Sequence, residues 1–374
     1  MSAELRADAA IVGAGVVGLA VARALARTGR DVVVLEGESA PGRHASGRNS
    51  GVVHAGIHHP PGSLRARLCV EGKAALYAYC EERGVAHARL GKLVVAPGED
   101  EVPGLEALAA RGHANGVDDL VLLSREEVRA IEPELRCARA LLSPSTGIVD
   151  PEALLRALRQ DAEDSGARIA LSSPVHGGEV GDGAIVLRVG GREPALLRCR
   201  EVVNAAGLGA QAVSGGLDGF PAATIPPSHP SRGHYFVLSG AAPFRRLVYP
   251  LPVVGGLGIH LTLDLAGAAR FGPDASPADG ASYAFDESRL PAFESAVRRW
   301  WPGLPDGALR PGHVGIRARI TPPGAPAADF AVHGAEVHGV PGLVCMYGIE
   351  SPGLTACLAL ADLVRARLDV PASR

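Results

Sequence analysis

Residues 7–36 read ADAAIVGAGVVGLAVARALARTGRDVVVLE. An apolar strand runs into Gly13-x-Gly15-x-x-Gly18, a helix follows, and a second apolar strand ends on Glu36. That order is the signature of a dinucleotide-binding βαβ unit. Gly13 permits the tight turn, Gly15 lets a pyrophosphate approach the backbone, and Gly18 lets helix and strand close together. Val16 and Val17 open the helix, whose first N–H groups and positive pole face the phosphates. Glu36, about 20 residues on, is placed to accept hydrogen bonds from an adenosine ribose. These residues specify a dinucleotide and leave NAD and FAD both open.

Outward from this unit, 374 residues are enough for two lobes. A net charge of −3 supplies no basic field and excludes a nucleic-acid binder. Lys73 and Lys92 are the only lysines, so a single arginine carries little information and Lys92 carries more. The six cysteines form no CxxC pair and read as buried small hydrophobes of a reducing compartment. No run reaches the ~18–20 apolar residues of a membrane span. The apolar stretch 9–26 fits the glycine fingerprint better than a secretory leader. The expectation is a soluble, cytoplasmic protein, with peripheral membrane contact left open.

The first helix stops at Thr28-Gly29, and a second helix is expected over 64–82, closed by Gly84. A strand follows at 91–96, and 97–142 carries mixed helix signals. Asp150-Pro151-Glu152 opens another helix, with Asp as cap, Pro in the first turn and an acid near the positive pole. Strands at 168–172, 185–189 and 201–204 follow, the last running into the small-residue turn Asn204-Ala-Ala-Gly207. From 220 to 311 the chain breaks into short strands punctuated by Pro and Gly, including 234–238, 247–251 and 258–263, which suits an antiparallel sheet. A strand at 343–347 and a helix at 356–368 resume the first texture. The fold class is α/β: a Rossmann-like lobe with a central parallel sheet and helices, plus a second α+β lobe with a mostly antiparallel sheet.

Several groups are candidates for chemistry. The turn Ser46–Gly51 suits a backbone wrapped round an extended polar cofactor, and equally an Asx/Ser surface loop. Gly353-Leu354-Thr355 at a helix start offers a positive pole to an anionic locus, or is a simple helix start. His54, His58 and His59 cluster near Gly51 and Gly56, which oppose a helix. With no acid beside them they make no metal site, and His54 reads as a pocket-lining group. His260, in GIHLT, is either a base for an alcohol proton or a hydrogen-bonded sheet histidine. Arg317 is either a carboxylate anchor or a surface arginine.

With those residues on the page, the chain resembles the D-amino-acid-oxidase-like superfamily of FAD enzymes, and within it the L-2-hydroxyglutarate dehydrogenase/oxidase family. The resemblance is carried by GRNSGVVHAGIHH (47–59), SLRARLCVEG (63–72), GKLVVA (91–96), GIVDP (147–151), NAAG (204–207), RGHYF (232–236), VYPLP (248–252), GIHLT (258–262), GIRA (315–318) and YGIESPGLTACLALA (347–361). The glycine fingerprint is common to many flavoproteins; NSGVVHAGI and the 347–361 run are much more specific. The resemblance implies FAD at the fingerprint and Glu36 at the ribose. It puts Ser46, Asn49, Ser50 and Gly51 along the pyrophosphate and flavin. Val175, Ala206 and Gly207 fall near the adenine end, and Gly353, Leu354 and Thr355 near the pyrimidine edge. It makes Arg317 the substrate-carboxylate anchor and sets His260 and Tyr249 over the flavin. Arg48 departs from a family histidine, and His58-His59 from a pair of tyrosines.

The resulting expectation is oxidation of an L-2-hydroxy acid, foremost L-2-hydroxyglutarate, by hydride transfer to flavin N5. His260, or else His54, takes the hydroxyl proton. Arg317 holds C1, and Lys92, Arg65 and Arg232 are candidates for a second carboxylate. Alternatives are an amino-acid oxidase of glycine, sarcosine or D-amino-acid type, and a non-catalytic electron-transfer flavoprotein. The electron acceptor is oxygen, a quinone or a flavoprotein. Residues 1–90, 145–219 and 312–374 are expected to form the FAD-binding domain, and 91–144 and 220–311 the substrate-binding domain.

Overall fold

The computed structural model describes residues 3–181, 183–251 and 258–369; Pro252, the last residue of the VYPLP stretch, lies outside the described residues. The chain divides into two compact units. Unit 1 comprises Met1–Gly47, Pro151–Pro230 and Arg317–Arg374, and unit 2 comprises Arg48–Asp150 and Ser231–Ile316.

Unit 1 is built on a sheet of nine strands among the described residues. Its centre is parallel: Ala195–Asn204, Ala3–Val12, Val32–Leu35 and Arg168–Ala170 lie side by side. Leu343–Tyr347 adds in parallel to the end of Ala195–Asn204. These strands are near-continuous apolar runs, as burial on both faces requires. The helix Val16–Ala26 packs against the helices Pro151–Asp164 and Cys357–Asp369. Val175–Gly181 and Ala184–Val189 form an antiparallel extension.

Unit 2 holds a second sheet of nine described strands. Six of its pairings are antiparallel, and Leu247–Pro250 runs parallel to Lys92–Ala96. The register aligns Leu93, Val248, Leu261, Phe271 and Phe236 on one face, where they join a core with Phe293, Trp300 and Trp301. By the two-residue alternation of strands, Lys92, Tyr249, Thr262, Arg270 and Tyr235 share the other face. The segment expected to carry mixed helix signals resolves into the helix Val102–Ala114, the strand Val121–Ser124, the helix Arg125–Ile131 and the strand Arg139–Ser143.

The compact units divide elsewhere than the expected domains at four boundaries. Residues 48–90 and 145–150 belong to unit 2, with 312–316, whereas 220–230 stay in unit 1. The reason is burial: Val52, Ala55, Ile57 and Ile148 are in the unit 2 core. A three-stranded sheet ties Val52–Val53 and His87–Ala88 to Gly147–Val149. The helix Leu64–Arg83 is held to the same region through Lys73 Nζ to Ser145 Oγ (2.8 Å) and Tyr77 Oη to the Ser145 carbonyl (3.1 Å). Ser63 caps that helix and Gly84 ends it with φ +64°.

A nucleotide cradle and a buried cationic cluster

In unit 1 the fingerprint glycines each do a different job. Gly13 has φ +103°, and a Cβ there would sit 2.7 Å from the Ala205 carbonyl oxygen. The first turn is thus pressed on the Asn204–Gly207 turn. A Cβ on Gly18 would lie 2.0 Å from the Gly13 carbonyl oxygen, so helix and turn meet with no room for a side chain. Gly15 is different: its φ of −75° is ordinary, and the sole neighbour of a Cβ would be Ser46 Oγ at 3.0 Å. Glycine at 15 therefore serves whatever approaches from outside.

The helix Val16–Ala26 has no acid in its first turn, so its positive pole is left for a ligand. Ser46 Oγ accepts from Val16 N–H (2.9 Å). Glu36 accepts from Ala14 N–H (2.7 Å) and Glu38 N–H (2.9 Å), which fixes the carboxylate at the end of its strand. Asn204 donates to the Ala210 carbonyl and Ser214 Oγ and accepts from Ala206 N–H, setting the turn at Ala206-Gly207. Gly207 has φ +56° with open space where a side chain would stand. Val175 begins the strand that pairs with Ala184–Val189. Gly353, Leu354 and Thr355 precede the helix Cys357–Asp369, with Thr355 fully buried. This glycine cradle, acid-free helix start and anchored acid fit an adenine dinucleotide.

Asn49, Ser50 and Gly51 fall in unit 2. Asn49 Oδ1 accepts from Gly51 N–H (2.8 Å), and Gly51 takes φ +67° to close this Asx turn. Arg317 closes the strand Leu309–Arg317, half-buried, and is the first residue of the return to unit 1.

Unit 2 gathers basic side chains round a buried lysine. Lys92 is 0% exposed. Its Nζ lies 3.3 Å from His58 Nε2 and 4.8 Å from the centroid of the Tyr249 ring. The His260 ring stacks on Tyr249 with centroids 3.6 Å apart and planes 9° from parallel. Burial pulls the Lys92 ammonium down to about 8, opposed only by the neighbouring Cys69. Burial first, then the Lys92 charge, holds His54 and His58 well below the usual imidazole range. His59, His260 and Arg65 add to the positive field on His54. Burial also drives the Tyr249 hydroxyl far above the phenol range, so it stays protonated. Thr262 Oγ1 is buried on the same face with no hydrogen-bond partner among the described residues.

The structure thus collects His54, His58, His260, Tyr249, Lys92 and Arg65. His260 sits one residue before the strand Leu261–Leu263, not on it. Arg232 is not collected. Strand alternation puts it with His234 and Phe236 on the core face, away from Tyr235 and Tyr249. The contact of His58 with Lys92 has no sequence signal, because the two lie 34 positions apart and Lys92 is on a strand that does not announce its partner. Among the described residues no group of three or more His, Cys, Asp or Glu could hold a metal ion. No described helix is long and apolar enough to cross a membrane. All six cysteines are buried, and none is in a disulfide among the described residues.

Residues 8–367 match the model of the FAD dependent oxidoreductase family. The chain is 42% identical to "L-2-hydroxyglutarate dehydrogenase, mitochondrial" of Arabidopsis thaliana, over 96% of this chain and 83% of that protein. It is 31% identical to the protein of the same name from Pongo abelii, over 96% of this chain and 86% of that one. Among solved structures it is similar to dithionite-reduced L-alpha-glycerophosphate oxidase from Mycoplasma pneumoniae with FAD bound. The TM-score is 0.87 at 25% identity, covering 99% of this chain and 96% of that chain.

Proposed function

This chain belongs to the FAD dependent oxidoreductase family, and on that premise we propose that it oxidises L-2-hydroxyglutarate at C2 to the 2-oxo acid. The observation that carries the choice of substrate is Lys92, a buried ammonium that contacts an imidazole and an aromatic face and, among the described residues, no carboxylate. A desolvated charge of this kind calls for an anion, and a diacid brings one beyond the carboxylate next to its reacting carbon.

FAD is the cofactor, and when bound it accepts the hydride from C2. Gly13, Gly15, Val16, Val17, Gly18 and Ser46 would hold its pyrophosphate, and Glu36 its ribose. Val175, Ala206 and Gly207 would line the adenine end. Asn49, Ser50, Gly51 and the segment Gly353-Leu354-Thr355 would serve the flavin. Arg317 offers a two-pronged donor to the C1 carboxylate and so orients C2. Lys92, with Arg65, supplies positive charge for the second carboxylate. His260 takes the hydroxyl proton, with His54 as the second choice; the depressed affinity of His54 for a proton leaves it neutral and able to accept one at pH 7. Tyr249 is no base, since burial keeps its hydroxyl protonated; its ring is the platform that fixes His260.

Anaerobic titration tests the substrate. L-2-Hydroxyglutarate should bleach the flavin, whereas glycine, proline and sarcosine should not. Bleaching by an amino acid and not by the hydroxy acid would reject the reading. Arg317→Ala should raise KM for the hydroxy acid on the order of 10²-fold, the loss of a charged contact. An unchanged KM would remove Arg317 from the anchor role. For the reduced enzyme we assign oxygen, a quinone or a flavoprotein as acceptor, told apart by reoxidation in air against added acceptors. We place it in the cytoplasm on its six buried thiols outside any disulfide among the described residues, with cell fractionation as the test of that and of peripheral membrane contact.

A further inference from the structure

We propose that His58 is the residue that grips the substrate's distal carboxylate, through an Nδ1–H that Lys92 makes available. This rests on the diacid reading above and adds a residue to it. An ammonium has hydrogens to donate and no lone pair to offer. At 3.3 Å from Lys92 Nζ, His58 Nε2 must therefore be the acceptor. A neutral imidazole that accepts at one nitrogen carries its proton on the other, so Nδ1 is a donor. Burial keeps the ring neutral at pH 7. Lys92 thus fixes the tautomer, and its positive charge strengthens the opposite N–H as a donor to an anion.

Exposure decides which of the two meets the ligand. Lys92 has no solvent-accessible surface, so the ammonium itself is sealed. His58 is half-buried and retains some. The loop carries it there because Gly56 takes φ +105°, and Asn115 Nδ2 donates to the Gly56 (2.8 Å) and His59 (2.9 Å) carbonyls on either side of it. His58 is therefore held from its backbone as well as from its ring. The neighbours that set the field at this ring, Lys92, His54, His260 and His59, include no acid to compete for the Nδ1 proton. Of the Lys92–His58 pair, His58 alone keeps exposed surface, and its free nitrogen is the donor left for an anion.

The FAD-loaded enzyme tests this with two substitutions. Glutarate serves as an unreactive diacid and butyrate as its single-carboxylate control, with affinity measured by calorimetry. His58→Phe keeps the ring's bulk and removes both nitrogens. It should weaken glutarate binding by ~10–100-fold, as expected for a lost hydrogen bond to a charged group, and leave butyrate within about threefold. His58→Gln can accept from Lys92 and donate to the ligand with one amide, and should restore most of the loss. Selective ¹⁵N labelling of histidine should show His58 protonated at Nδ1 in the native protein and redistributed between tautomers in Lys92→Met. Unchanged glutarate affinity in His58→Phe, or an Nε2–H tautomer in the native protein, overturns the proposal. Failure of the reaction itself is distinct: if L-2-hydroxyglutarate does not bleach the flavin, the substrate reading falls, while glutarate selectivity lost in His58→Phe would still stand for the residue.

Discussion

Gly15→Ala is expected to give a folded but colourless protein. The argument rests on where the added methyl goes. At Gly18 it would collide with backbone at 2.0 Å, and at Gly13 with backbone at 2.7 Å in a conformation that disfavours a side chain. Either change disturbs the fold and the ligand together. At Gly15 the backbone is extended and the methyl meets only the tip of Ser46. The protein without cofactor should unfold within about 2 °C of the native apoprotein, because a tolerated surface-facing substitution costs a few tenths of a kcal/mol. The FAD dissociation constant should rise by ~10²-fold or more, since a pyrophosphate must approach this position closely. A Gly15→Ala protein that stays yellow would show that the pyrophosphate does not pass here. A large drop in apoprotein stability would show that Gly15 serves the fold.

Lys92→Met is expected to move stability and diacid preference in opposite directions. Methionine fills similar volume without a charge. In the folded protein the ammonium is pulled to about 8 from its ordinary value of 10.5. A shift of that size corresponds to a destabilisation on the order of 3 kcal/mol. The sign follows from the proton count. Below pH 8 both folded and unfolded chains carry the proton, and the full penalty is present. Between 8 and 10.5 the unfolded chain alone keeps it, so stability rises with pH. The variant should therefore be the more stable at pH 7, by several degrees, with the gap closing as pH approaches 10.5. Its kcat/KM ratio for L-2-hydroxyglutarate over L-2-hydroxybutyrate should fall on the order of 10–100-fold, because the sealed ammonium acts on the distal carboxylate through His58, whose donor it sets. The native enzyme should lose the same preference about tenfold per pH unit above about 8 as Lys92 deprotonates. A Lys92→Met variant that unfolds more readily at pH 7 and keeps the ratio would make Lys92 a packing residue.

The nucleotide cradle was legible because its parts are contiguous. Strand, glycines, helix and Glu36 fit in 30 residues, and each glycine has a local steric reason. The helices at 64–83 and 151–164 were legible through their caps and stops. The cationic cluster was not legible as a cluster. It joins residues 58, 92, 249 and 260, and the juxtaposition depends on Leu247–Pro250 pairing in parallel with Lys92–Ala96 across more than 150 positions. Nothing within either segment encodes that partner. The compact-unit boundary at Gly47/Arg48 was not legible for a related reason. The strands Val52–Val53 and His87–Ala88 are two residues each and register only through Gly147–Val149. Arg232 looked like a candidate until the strand supplied a parity, which sends it to the core side.

The interleaving of the two units has a consequence for synthesis. Neither corresponds to a continuous stretch of message. The strand Ala3–Val12 emerges first, yet its long parallel neighbour Ala195–Asn204 comes nearly two hundred codons later, and Leu343–Tyr347 last of all. At ~5–20 residues per second, the first apolar strand waits on the ribosome for on the order of ten seconds or more with one edge unsatisfied. Unit 2 has all its strands only after Arg317 is made. Nascent chains halted before residue 343 should therefore depend on chaperones, and the gene should resist dissection into separately expressed halves.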